Sequence, residues 1–241
     1  MNVPLADIPP LLDRRPVVGS SSLFKTFENC PFQGNARYIA RNLPFVETDE
    51  MRRGNEVHKA FEYRIADGKP LPTDMAQWEP LAAPLDRFAD DGNDVWKGVE
   101  VKLGVTQEGK SCDFFAKDVF CRGKIDVVVA RGDSAYLPDW KTGGSRYEDS
   151  FELRVNAVLI QARLPRLKHI KGQYVWLKEN RLGQMYDLSD TAATWREIVQ
   201  RHETIMNQRR LDEFPKRQSG LCGWCSVKWC QHNPQYERTT T

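Results

Sequence analysis

The chain has 241 residues, 40% hydrophobic and 28% charged, with a formal net charge of +2. That is apolar content enough for a folded core, and too small a positive excess to announce a nucleic-acid partner by charge alone. No apolar run reaches the ~18 residues of a membrane helix, and MNVPLADIPPLLDRRP lacks the basic region, apolar stretch and cleavage site of a secretory leader, so no membrane partner and a cytoplasmic location are expected.

After the Pro-rich leader, SSSLFKTFENCP reads as a Ser-capped helix with Leu23, Phe27 and Cys30 on its apolar side and Pro31 at its end. Residues 47–67 form a second helix closed by Gly68, with Gly54, Val57, His58, Phe61 and Ile65 recurring at helical spacing. GKPLPTDMAQWEPLAAPLDRFADDGN reads as a Pro-broken loop leading to another helix. From Val95 the period becomes two: VWKGVEVKLGV, KSCDFFAKDVFCRGKIDVVVA and SAYLPDWK read as successive antiparallel strands. DSFELRVNAVLIQARLP follows as an amphipathic helix, IKGQYVWLKEN and RLGQMYDLS as a hairpin, and DTAATWREIVQRHETIMNQRR as a long helix with Trp195, Ile198, Val199, His202 and Ile205 inward. The expected fold is α/β, a mixed central sheet flanked by helices, in one domain over residues 1–241.

Asp126 interrupts the apolar strand GKIDVVVA, and burying an unpaired carboxylate costs several kcal/mol. If the next strand brings Asp139 alongside, a divalent cation such as Mg2+ offsets that cost, and Lys141, two residues on, shares the face of Asp139. There the lysine can orient or deprotonate a water, or stabilise charge developing on a phosphate. An acid-x-Lys pattern also starts at Asp67, Glu100 and Glu108, but only Asp139 follows a buried strand bearing its own Asp. Six cysteines are present, and a reducing cytosol argues against disulfides. Cys222 and Cys225 have the C-x2-C spacing at which one turn aims two thiolates at one metal, Cys230 follows closely, and Cys112 and Cys121 alternate with apolar residues as small core hydrophobes.

GKIDVVV and LPDWKTG together resemble the core signature of the PD-(D/E)XK nuclease superfamily, in its RecB-like branch. The preceding helix RGNEVHKAFE, the strand residue Glu100 and the SSLFKTFENCP helix extend the resemblance. It implies a restriction-endonuclease-like core with residues 95–180 as the catalytic sheet. It also implies Asp126 and Asp139 as metal ligands, Lys141 as catalytic, His58 at the metal and Glu100 as an auxiliary ligand. The Gln-x3-Tyr common on the family's following helix is replaced here by Glu152 and Asn156, with Gln161 further along. Cys30 with Cys222, Cys225 and Cys230 resembles the iron-sulfur nucleases of the AddB and CRISPR-adaptation types. That implies a [4Fe-4S] cluster joining segments 20–31 and 212–232, with Zn2+ on the same thiolates as the alternative and Trp224 and Trp229 shielding the site. The function implied is a Mg2+- or Mn2+-dependent DNA exonuclease acting on single strands or free ends, in recombination, repair or phage DNA processing, in a bacterial or phage-infected cell. The alternative is a module on the same fold that binds nucleic acid or a protein without cutting.

Overall fold

The computed structural model describes residues 16–44, 46–88 and 95–236, so the leader and the 89–94 end of the third expected helical region lie outside the described residues. Two units are distinguished, one built from the two ends of the chain (1–45 and 199–241) and one from residues 46–198.

In the first unit, helix α1 (Ser21–Asn29) opens on Ser20, whose hydroxyl accepts a hydrogen bond from the Leu23 amide at 3.2 Å. Cys30 ends it in extended backbone. Pro31 then begins α2 (Pro31–Gly34), because at the first helical position a missing N–H costs nothing, and a π-helical turn at Asn35–Ile39 continues it. Pro31 therefore starts a helix as well as ending one, and Cys30 sits between the two rather than on the apolar side of α1. A Cβ on Gly34 would lie 2.6 Å from the Phe27 ring, so only glycine lets α2 settle there. A small core of Ala36, Val227 and Cys230 joins the N- and C-terminal segments of this unit.

In the second unit, α3 (Asp49–Asp67) is capped by Thr48, which accepts from the Met51 amide, and is closed by Gly68 at φ 68°. The next helical region is broken into a 3-10 turn (Thr73–Trp78), α4 (Glu79–Ala82) and a second 3-10 turn (Ala83–Arg87), since Pro72, Pro80 and Pro84 recur too often for one helix. Arg64 of α3 is buried and pins this run by forking onto both oxygens of Asp86 at 2.8 and 2.7 Å and meeting Glu79.

Six strands follow: β1 (Val95–Val105), β2 (Ser111–Cys112), β3 (Cys121–Arg131), β4 (Ser134–Lys141), β5 (His169–Trp176) and β6 (Arg181–Asp187), in the spatial order β2-β1-β3-β4-β5-β6. All neighbours are antiparallel except β4 and β5, whose parallel pairing needs a crossover supplied by α5 (Phe151–Arg163). Helix α6 (Thr191–Leu211) begins in this unit. The mixed sheet flanked by helices is thus present as expected. Val127, Val129, Trp140 and Val175 form its core with Val57, Phe61 and Ile65 of α3, while the opposite side of β4 meets α5. Among the described residues no helix is long and apolar enough to cross a membrane.

Candidate active site

The β3–β4 ladder runs from Arg131↔Ser134 to Val129↔Tyr136. Further from the turn, Asp126 Oδ2 takes the place of a backbone carbonyl and accepts the Trp140 amide at 2.9 Å. The same carboxylate's Oδ1 lies 3.2 Å from His58 Nδ1, which α3 presents, and that nitrogen is 3.6 Å from Glu100 Oε1. Glu100 sits in β1 at φ 54° and is also paired with Lys124 of β3. Among the described residues, His58, Glu100 and Asp126 form a group whose ligand atoms all lie within 4.8 Å of one another. Hydrogen bonds to Asp126 and Glu100 push His58 up to about 10, against the opposing effect of its burial. Burial pushes Glu100 up, but His58 and Lys124 outweigh it and hold the carboxyl below its usual value.

Asp139 lies beside this group rather than within it. It is 4% exposed, and its buried Oδ2 is ion-paired with Lys141 Nζ at 2.6 Å. Burial raises Asp139 well above the carboxylate range; Asp126 and Glu152 add to the rise and Lys141 opposes it. Burial pulls Lys141 down, yet Asp139 and Glu152 more than offset it and keep the ammonium protonated. Glu152, at the start of α5, accepts from Lys141 Nζ at 2.8 Å. Lys141 also lies 5.3 Å above the ring of Tyr174, whose hydroxyl donates to the Asp149 carbonyl.

A buried carboxylate next to two further carboxylates and an imidazole nitrogen suits a hard divalent cation. The site residues expected from sequence therefore come together in two adjoining sets, His58–Glu100–Asp126 and Asp139–Lys141. Glu152 and Lys124 complete them, and neither was expected there: Glu152 was read only as a departure from a Gln pattern. Asn156 is buried against Gly123 of β3, and Gln161 is engaged elsewhere, its amide donating to the Leu167 carbonyl and its oxygen accepting from Thr191.

In the other unit, Cys30, Cys222, Cys225 and Cys230 line one cavity of about 30 Å³. Burial raises the Cys225 thiol, and the three other thiols raise it further. Trp224 and Trp229 do not shield this cavity: they are 89% and 45% exposed, because the tight turn that aims the cysteines inward sends the intervening tryptophans out. Phe32, Leu221 and Val227 line it instead. Cys121 is buried, with its thiol pushed up to about 12 by that burial, whereas Cys112 is half-buried.

The sequence profile of the PD-(D/E)XK nuclease superfamily matches residues 19–231. A solved structure from Eubacterium rectale, named there as a "putative exonuclease", aligns with 93% of this chain and 92% of its own at 14% identity and a TM-score of 0.48. A second solved structure, whose name states no activity, aligns with 74% of this chain and 81% of its own at 14% identity and a TM-score of 0.34. No curated protein matches.

Proposed function

The chain belongs to the PD-(D/E)XK nuclease superfamily, and we propose that it is a Mg2+- or Mn2+-dependent DNA exonuclease acting on single strands or free ends. The observation that carries the reading is the convergence of the buried Asp139–Lys141 ion pair with the His58–Glu100–Asp126 group, joined through the hydrogen bond from the Trp140 amide to Asp126. Asp126 and Asp139, with His58 and Glu100 beside them, would hold a divalent cation, which when bound supplies a Lewis acid for the phosphate and a more acidic water. Lys141, kept charged by its carboxylate neighbours, stabilises negative charge developing on the scissile phosphate, and Glu152 holds the ammonium in place. The Trp140 amide of β4 fixes Asp126 of β3, so the two acids stay aligned without a side-chain partner between them. The RecB-like arrangement of motifs along the chain supports end-directed cutting in recombination, repair or phage DNA processing.

The four cysteines among the residues lining the second cavity support a structural [4Fe-4S] cluster on Cys30, Cys222, Cys225 and Cys230, the ligands that Zn2+ would otherwise take.

End-labelled single- and double-stranded DNA incubated with Mg2+, Mn2+ or EDTA tests the catalytic reading. Cleavage is expected with either metal and none with EDTA, and Asp126→Ala, Asp139→Ala and Lys141→Ala should each lose at least about a hundredfold in rate. Full activity in Asp139→Ala overturns the site. Tight DNA binding with no cleavage under any metal makes the chain a binding module instead.

A further inference from the structure

The turn between β2 and β3 presents an aromatic pair that the core does not use. Phe115 is 76% exposed, and its ring meets Phe114 edge-on at 4.9 Å. The Arg122 guanidinium lies over both rings, 4.6 Å from Phe114 and 5.4 Å from Phe115, and donates to the Phe114 carbonyl at 3.2 Å. An exposed phenylalanine tends to collapse onto apolar surface; this one is held outward by a stacked arginine and a fixed turn.

The strand that carries Arg122 leads to the candidate metal group. Arg122 and Lys124 are two residues apart on β3, so they share a face about 7 Å apart, and Lys124 pairs with Glu100. Directly across the ladder from Lys124 is Lys102, which is exposed. Like charges placed opposite each other on a sheet repel, and Glu100 neutralises only one of the pair. A phosphodiester backbone running over this face satisfies both lysines, and an aromatic platform beside it offers a face to a base. Asp113 and Asp118 accompany Lys117 in the turn itself, so the cationic path lies along β1 and β3.

We propose that Phe115, backed by Phe114 and Arg122, stacks on an unpaired base of a single-stranded nucleic acid whose backbone passes Lys102 and Lys124 on its way to the Glu100–His58 group. The assignment of what lies at the end of that path rests on the nuclease reading; the stacking itself does not. Unpaired bases are required, because a duplex offers no free base face along its length, and stacking tolerates any base.

The test is fluorescence anisotropy with labelled oligothymidylate of about 20 nucleotides, in EDTA so that nothing is cut. Phe115→Ala should bind about tenfold more weakly, and Phe115→Trp should restore or exceed the parent affinity. A duplex of the same length should not distinguish the three proteins. An oligomer without bases should lose affinity for the parent and lose nothing more on Phe115→Ala. Equal affinity of parent, Phe115→Ala and Phe115→Trp for oligothymidylate overturns the proposal, and so does an equal loss on duplex, which would mark Phe115 as a general structural or protein-contact residue. Loss of single-strand binding in Phe115→Ala in a protein that cuts nothing leaves the platform standing and removes the nuclease reading. A cleaving enzyme indifferent to Phe115 does the reverse.

Discussion

Glu100 holds a backbone conformation that glycine would hold more comfortably. Its φ of 54° falls inside an eleven-residue strand, where a side chain in the left-handed region costs about 1–2 kcal/mol. The register on either side is unbroken, from Val99↔Val127 to Val101↔Ile125, so the effect is to turn side chains rather than to shift the ladder. Its sign is that Val101 and Gly98, three residues apart, lie on the same side: a Cβ on Gly98 would be 2.6 Å from Val101 Cγ2. The turn aims the Glu100 carboxylate at His58 and Lys124. Glu100→Gly should therefore melt higher than Glu100→Ala by the equivalent of about 1 kcal/mol, while calorimetry shows both binding Mn2+ more weakly than the parent. Equal melting of the two variants would mean that no strain is stored there.

At the scale of elements, the two halves of the site are registered by one aromatic contact. Phe61 lies three residues after His58 on α3, is fully buried, and stacks 4.2 Å from the ring of Trp140, which separates Asp139 from Lys141. Phe61→Ala should cost about 3–5 kcal/mol in denaturant unfolding. Phe61→Leu, closer in volume, should cost less yet still slow cleavage, because it loosens α3 over β4; a turnover identical to the parent's would separate the packing from the chemistry. The period-two strands were legible in sequence because each buries one face, and the residues that the motifs and the resemblance singled out, His58, Asp126, Asp139 and Lys141, lie in two adjoining sets. Lys124 and Glu152 were not legible, since what makes them partners is the side-chain turn at Glu100 and the docking of α5 across the parallel crossover. Pro31 does follow the end of α1 as read, but the helix it begins was not legible, because a proline that stops one helix is equally able to begin the next. Trp224 was misjudged because a tight turn allows only one set of its side chains inward.

Over the whole molecule, the four thiols gather residues from both ends of the chain in one unit. With a cluster there, protein purified without oxygen should be brown with broad visible absorption that bleaches on oxidation. Cys30→Ala should lose colour, solubility and cleavage together, while Cys112→Ala keeps all three. A colourless, active protein carrying one zinc per chain would assign the site to Zn2+. The chain's layout also sets a timetable. The sheet unit is one continuous stretch, residues 46–198, whereas the cysteine unit is complete only once its far half exists. On a ribosome adding about 5–20 residues per second, Cys30 is made roughly 10–40 s before Cys222, and almost all of the sheet unit is synthesised while this thiol lacks its partners. Whatever fills the cavity through all four cysteines can do so only after the last of them is made.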